Sequence, residues 1–174
     1  MSADVIIEED RWSCVDLAVL AERAASGALN YLEFDPTDWT IAILATDDST
    51  IARLNLEYRG NGQPTNVLSW PSVDRGAAIP GKIPLRPTIG SELGDIALGF
   101  ETCAKEAQAA GKRLEDHVQH LIVHGTLHLL GYDHDHDLNA DLMEATEIAI
   151  LAKLGVPNPY DKGDAAGLID DGKD

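Results

Sequence analysis

The sequence is poor in basic residues and in cysteine. Its 174 residues include 13 lysines and arginines against 30 acidic residues, a net charge of −17 with neutral histidines. Proteins that bind nucleic acid usually carry basic patches, so we expect no DNA partner and no broad binding to RNA. The two cysteines, Cys14 and Cys103, lie far apart in sequence. This usage favours a reducing cytoplasm over a disulfide framework.

The sequence also predicts no membrane-directing segment. No apolar run approaches the roughly 20 residues that cross a bilayer. The acidic start of the chain, MSADVIIEED, lacks the basic and apolar regions of a signal peptide. We therefore expect a cytoplasmic protein without a membrane partner. A length of 174 residues favours one domain, large enough to hold its core without a structural metal.

The acidic charge is distributed unevenly along the chain. Residues 1–52 carry a net charge of −9 and residues 114–174 a net charge of −10, whereas residues 53–113 carry +2. The middle third is thus the part of the chain best suited to face a polyanion. The total charge argues against non-specific RNA binding and leaves room for a local cationic cleft.

Hydrophobic periodicity and turn residues predict four short strands and five helices. The strands are expected near residues 4–9, 39–45, 67–70 and 94–99, and the helices near residues 15–32, 51–59, 101–110, 114–130 and 138–154. Residues 71–91, rich in proline and glycine, are predicted to form a long surface loop. The expected fold is α+β: a single domain over residues 1–160, with a small mixed sheet of about four strands packed with helices. The acidic residues 161–174 are expected to form a disordered tail.

All six histidines lie within one 20-residue stretch of the C-terminal half. His124 and His128 lie four residues apart on a predicted buried helix, so their rings leave the same face. Gly131 can turn the chain sharply and return His134 to the same point. Three nitrogen ligands leave one tetrahedral position open, which is typical of a catalytic zinc ion. We therefore predict one Zn²⁺ held by His124, His128 and His134.

The same spacing of three histidines and a glycine occurs in metzincin proteases. In those enzymes a glutamate directly follows the first histidine and acts as the general base. Here that position is Gly125, so a zinc-activated water would lack its usual proton acceptor. A metzincin-like metalloprotease is therefore kept as a weaker alternative.

The chain resembles the YbeY family of bacterial endoribonucleases and rRNA maturation factors. The resemblance rests on three stretches within residues 39–160: Tyr58-Arg-Gly60 followed by Pro64-Thr-Asn-Val-Leu-Ser69, Leu93-Gly-Asp-Ile96, and the histidine motif. It implies a zinc-dependent, single-strand-specific endoribonuclease that acts in 16S rRNA processing and ribosome quality control. It also implies zinc on the three histidines, a catalytic role for Arg59 and ribosomal RNA as the partner.

The chemistry follows from these residue types. Three neutral imidazoles leave a zinc ion its full double charge, which suits an anionic phosphodiester. The nucleophile is either a metal-activated water or the 2′-hydroxyl of the RNA, and Arg59 would offer donors to the phosphate as negative charge builds. Further candidates for supporting the ligands or binding substrate, with turn, strand-end or core roles left open, are His120, Asp133, Asn66, Ser69 and Asp95.

A second alternative is a ribosome-assembly binding factor with a mainly structural metal. The acidic total supports it, because a protein of this charge should bind free RNA poorly without help. A small-subunit ribosomal protein or an assembly factor could then supply the missing affinity.

Overall fold

Four strands form one mixed sheet in the computed structural model, which describes residues 2–77, 79–84, 86, 87 and 92–161. The strands are β1 (Ala3–Ile7), β2 (Thr40–Thr46), β3 (Val67–Pro71) and β4 (Glu92–Gly99). Their order across the sheet is β1-β2-β4-β3. The first three in this order run parallel, and β3 pairs antiparallel with β4. The strand β3 therefore forms one edge of the sheet.

Five α-helices lie within the described residues. They are α1 (Leu17–Tyr31), α2 (Asp48–Arg59), α3 (Phe100–Ala110), α4 (Leu114–Leu129) and α5 (Asp137–Lys153). None of them has the length and hydropathy that a membrane crossing requires. The expected α+β domain with a small mixed sheet is confirmed. Each expected helix and strand is present, with ends within three residues of the expected ones.

The helix α4 lies at the centre of the domain. It packs against α1 and α5 and against strands β3 and β4 of the sheet. Every residue from His117 to Leu127 is buried, and Val118, Leu121 and Ile122 belong to the main core. Burying a side chain of that size contributes about 1.5–3 kcal/mol. Because several neighbours hold α4 in place, the histidines on it have fixed positions.

The segment between β3 and β4 departs from the expected surface loop. Its described residues contain no helix or strand, as expected, but Arg75 is buried. The Arg75 guanidinium donates to the carbonyl oxygens of Leu129, at 2.8 Å, and Leu93, at 3.3 Å. These bonds fasten the loop to the C-terminal end of α4. Residues 78, 85 and 88–91 of the expected loop and residues 162–174 of the expected tail lie outside the described residues.

Candidate metal centre

Three histidines converge at the C-terminal end of α4. His124 is buried, His128 is half-buried one turn later, and His134 follows the helix end. Their ligand nitrogens lie within 4.8 Å of one another, and the Nε2 atoms of His124 and His128 are 3.0 Å apart. Nitrogens on one tetrahedral zinc ion lie about 3.3 Å apart, given Zn–N distances of about 2.0–2.1 Å. These three histidines could hold a metal ion.

In His124 and His128, the ring nitrogen that faces away from the cluster also has a hydrogen-bond partner. Nδ1 of His124 lies 2.5 Å from Oε2 of Glu147, and Nδ1 of His128 lies 2.9 Å from the carbonyl oxygen of Tyr132. Both oxygens are acceptors, so each neutral ring carries its proton on Nδ1 and a lone pair on Nε2. Two facing lone pairs repel each other, and a shared cation removes that repulsion. Metal-binding histidines typically donate from their other nitrogen to a carboxylate or carbonyl in this way.

A turn at Gly131 brings the third histidine into place. Gly131 has φ +101°, in the left-handed region that favours glycine. A Cβ at this position would lie 2.3 Å from the carbonyl oxygen of Arg75. Glycine is thus required both by the backbone conformation and by the close approach of the β3–β4 loop. The turn places the Tyr132 carbonyl against His128 and returns His134 to the other two rings.

We expect Gly131→Ala to lower the free energy of unfolding by more than about 2 kcal/mol and to weaken metal binding. The left-handed conformation costs a non-glycine residue about 1–2 kcal/mol, and the backbone must also move away from Arg75. Urea unfolding and a metal titration measure the two effects. Gly155→Ala is the matched control, because Gly155 has φ +78° but open space around it. Equal metal affinity in the two variants would contradict the role of the turn.

Glu147, on α5, joins the site although the sequence analysis did not identify it. Its carboxylate is fully buried; Oε2 meets His124, and Oε1 accepts from Nε2 of His120 at 2.9 Å and from the Tyr160 hydroxyl at 2.6 Å. Burial alone would raise the pKa of the Glu147 carboxyl. The positive charge of His124 when it is protonated, together with the hydrogen bonds from His120 and His124, outweighs burial and holds that pKa well below its ordinary value. A buried carboxylate whose ionised form these contacts favour therefore lies directly behind the candidate metal centre.

The sequence contained one signal for Glu147. It lies four residues after Met143 and four before Leu151, both of which are buried on α5. A charged residue inside the apolar stripe of a helix is rarely buried unless it is paired. His120, expected as a supporting residue, is its partner on α4. Burial lowers the pKa of His120. The hydrogen bond to Glu147 and the charge of that carboxylate oppose this shift only in part.

A cavity of about 220 Å³ opens beside the histidines. Its lining includes His128 and His134 together with Arg59, Arg75, Ser69 and Asp133. Arg59, the last residue of α2, donates from Nη2 to the carbonyl oxygen of Ser69 at 2.9 Å. Burial lowers the pKa of the Arg75 guanidinium. Two guanidinium groups beside the converging histidines form a setting suited to an anion.

The remaining candidates divide between the cavity and the rest of the fold. Asp133 lines the cavity and accepts from the side-chain amide of Asn139 at 3.1 Å. Asn66 is buried elsewhere, and its amide donates to Oε1 of Glu106 at 2.9 Å. Asp95 is exposed on β4, opposite Trp70 in the register. Among the described residues, therefore, the fold brings Arg59, Ser69 and Asp133 to the cavity lining, but not Asn66 or Asp95.

Packing leaves no room for a side chain at Gly125, the position that the general-base glutamate occupies in metzincin proteases. A Cβ on Gly125 would lie 2.9 Å from Cδ1 of Ile96, because α4 lies close against β4 here. Both residues are buried. A glutamate at this position would have to displace Ile96 from the core. The glycine is thus explained by helix–sheet packing, and the site lacks a metzincin-type base at this position.

Comparison with known proteins extends along most of the chain. A family model described as Endoribonuclease YbeY matches residues 7–155. The chain belongs to the YbeY family. Endoribonuclease YbeY of Jannaschia sp. (strain CCS1) is 53% identical over 160 residues, covering 92% of this chain and 100% of that protein. Endoribonuclease YbeY of Ruegeria sp. (strain TM1040) is 48% identical over 176 residues, covering 99% of each chain. The resemblance seen in the motifs is confirmed.

A solved structure shares the fold. The solution structure of TM1509 from Thermotoga maritima matches this chain with a TM-score of 0.53 and 18% sequence identity. The match covers 92% of this chain and 97% of that one. At this identity the likeness concerns the fold alone, and it agrees with the single α+β domain described above.

Proposed function

We propose that this chain is a zinc-dependent endoribonuclease that cleaves single-stranded RNA during 16S rRNA maturation and ribosome quality control in the cytoplasm. The observation that carries the proposal is that His128 and His134, which converge with His124, line one cavity together with Arg59. The relatives that cover this chain almost completely bear the name endoribonuclease. Ribosomal RNA is the proposed substrate.

The donor set favours zinc among the common divalent metals. Three imidazole nitrogens suit zinc, whereas magnesium and calcium prefer oxygen ligands. A zinc ion bound here would polarise a phosphoryl oxygen and lower the pKa of a water to about 7. Glu147 and the Tyr132 carbonyl fix the tautomers of His124 and His128, so that Nε2 of each ring is ready to act as a ligand.

Arg59 is proposed to bind the scissile phosphate. Its bond to the Ser69 carbonyl orients the guanidinium within the cavity. A planar guanidinium matches two phosphate oxygens at once, and its charge stabilises the negative charge that builds on them. The attacking group is either a water or the 2′-hydroxyl of the RNA itself, and both need this charge stabilisation.

Arg59→Glu should reduce cleavage of a single-stranded rRNA-precursor fragment by about 100–1,000-fold, the usual effect of losing one donor to a developing charge. Bound metal should stay, because Arg59 is not a ligand. Arg53→Glu is the matched control. Arg53 lies exposed on the same helix, and this substitution reverses the same charge. Cleavage rate and metal content are measured for both variants. An equal loss in the two variants, or no loss in Arg59→Glu, would contradict the assignment.

An assembly-factor role is the second candidate function. The observation that favours it is the net charge of −17, which weakens binding to free RNA. A small-subunit ribosomal protein or an assembly factor would then bring the chain to its RNA. The protease alternative is disfavoured by Gly125, and a casein assay on the same zinc-loaded preparation should show no activity.

A further inference from the structure

Arg75 is a buried cation in the β3–β4 loop, beside the converging histidines. Its side chain belongs to a residue that is only 8% exposed, and it lines the cavity together with Arg59, His128 and His134. Arginine is almost never fully buried in a protein unless it is paired with an acid. The proposed roles of Arg59 and the histidines do not explain why a second arginine is buried here.

The protein contacts of Arg75 are with neutral groups. Nη1 donates to the carbonyl oxygens of Leu129 and Leu93, and Nη2 donates to the hydroxyl of Ser72 at 3.2 Å. Burial lowers the pKa of this guanidinium, and no carboxylate in the described part of the chain forms an ion pair with it. The hydrogen bonds satisfy donors but leave the positive charge uncompensated, and a buried charge without a partner is costly.

One edge of the Arg75 guanidinium also has room for an acceptor. Nε donates to none of the described residues, yet it is not among the polar atoms that are closed off from solvent. Nε and Nη2 share one edge of the planar group, and such an edge can meet two oxygens of one phosphate. A phosphate bound at this edge would supply both the missing acceptor and the missing negative charge.

Three aspartates in the same lining do not compensate Arg75. Asp74 and Asp135 are exposed, so that solvent and salt screen their charges. Asp133 is half-buried and accepts from the side-chain amide of Asn139 and the backbone N–H of Asp135. These charges weaken a general attraction of anions to the cavity. They therefore favour an anion that is held at a defined guanidinium.

The two arginines of the cavity are anchored at different places on the chain that leaves β3. Arg59 donates to the carbonyl oxygen of Ser69, and Arg75 donates to the hydroxyl of Ser72. The chain stays extended between them, since the N–H of Ser72 still pairs with the carbonyl of Leu93 at 2.9 Å. Three residues of extended chain span about 10 Å. Anchors this far apart favour two phosphates of one strand over one shared phosphate.

We propose that Arg75 binds a second phosphate of the RNA strand, next to the scissile phosphate assigned to Arg59. The inference rests on the proposed nuclease function and adds a substrate-binding residue from the β3–β4 loop. The site then recognises at least two consecutive phosphodiesters, which makes a chain a better ligand than a mononucleotide.

The test compares zinc-loaded Arg75→Met and Arg75→Lys with the unmodified chain, by initial rates on a single-stranded rRNA-precursor fragment at several salt concentrations. Arg75→Met should raise KM about tenfold or more, as the loss of a charge-assisted contact does. The kcat should change less than about twofold, because a phosphate beside the reacting one is bound equally in the ground and transition states. The dependence of log(kcat/KM) on log salt should become shallower by about 0.7, the value for one single-strand phosphate. Arg75→Lys keeps the charge and should keep this slope.

Arg53→Met is the matched control, because it removes an exposed arginine that does not line the cavity. It should leave KM and the salt slope unchanged. Zinc content and urea unfolding are measured for every variant, because Arg75 also holds the C-terminal end of α4. An unchanged salt slope in Arg75→Met, even with weaker zinc binding or lower stability, would show a purely structural role and overturn the proposal. A loss confined to kcat would overturn it as well.

A competition experiment on the unmodified chain does not depend on how the variants fold. A uridine trinucleotide with two phosphodiesters should inhibit cleavage about tenfold more strongly than the same trinucleotide with one neutral methylphosphonate linkage. Equal inhibition by the two trinucleotides would overturn the second phosphate contact. Normal cleavage with either negative result refutes the role of Arg75 alone, whereas no cleavage by the unmodified chain refutes the nuclease proposal and this inference together.

Discussion

His128→Ala should bind no stoichiometric zinc and should lose RNA cleavage by at least about a thousandfold, since two imidazoles no longer complete the ligand set. The fold should survive. His128 is half-buried, and its loss removes the hydrogen bond to the Tyr132 carbonyl, worth about 1 kcal/mol. Metal analysis, circular dichroism and a cleavage assay on single-stranded RNA measure the three outcomes.

His136→Ala is the control for this variant. His136 is exposed and caps α5, with Nδ1 accepting from the backbone N–H of Leu138. Its removal should cost about 0.5–2 kcal/mol of stability, as the loss of a helix cap does, and leave metal and cleavage unchanged. Full zinc occupancy in His128→Ala would refute the ligand assignment. Loss of zinc in both variants would indicate that the conformation of the whole segment between α4 and α5 determines zinc binding, and not the His128 ring alone.

Glu147→Leu should be among the most destabilising single substitutions in this chain, by about 3–5 kcal/mol. The leucine removes the Glu147 acceptor from two buried donors, on His120 and His124, and from the hydroxyl of the half-buried Tyr160. Glu147→Gln keeps the shape but removes the charge, and it should weaken zinc binding about 10–100-fold by releasing the His124 ring. Urea unfolding and chelator competition measure the two effects. Glu144→Gln, an exposed position on the same helix, should change neither quantity.

The same carboxylate makes a pH-dependent contribution to the stability of the metal-free chain. Because the pKa of Glu147 is lower in the folded chain than its ordinary value, its stabilisation is present above the unfolded pKa of about 4.5 and is lost as the pH falls towards the folded pKa. Unfolding free energy should therefore fall more steeply below pH 4.5 in the unmodified chain than in Glu147→Gln. Parallel curves would show that Glu147 is not ionised in the folded chain.

The convergence of the three histidines could be predicted from sequence because it depends on local geometry. His124 and His128 are one helical turn apart, and Gly131 fixes the turn that returns His134. The strands and helices could be predicted for the same reason, since their hydrophobic periodicity is local.

The supports of the site could not be predicted in the same way. Glu147 is 23 residues from His124 in sequence, and Arg75 is 54 residues from Leu129. Such pairs form only when α5 and the β3–β4 loop pack onto α4. The proline and glycine content of that loop indicated irregular structure but gave no sign that an arginine within it would be buried. Asn66 lies in the Pro64–Ser69 motif and was therefore expected near the site. Its amide instead donates a hydrogen bond to Glu106 on α3.

The net charge of −17 does not describe the local charge beside the histidines. The arginines that line the cavity beside the histidines are Arg59 and Arg75. Both come from the middle third of the chain, the only third with a net positive charge. The acidic surroundings weaken general adhesion to RNA, while these local cations allow a phosphate to be bound at a defined place.

The central claim is that one metal on three histidines, assisted by Arg59, cleaves RNA. It is tested most directly by the cleavage rate of an rRNA-precursor fragment at two salt concentrations. The zinc-loaded unmodified chain should cut at both salt concentrations, His128→Ala should not cut at either, and Arg59→Glu should cut slowly while retaining its zinc. Cleavage by His128→Ala at the rate of the unmodified chain would contradict the account.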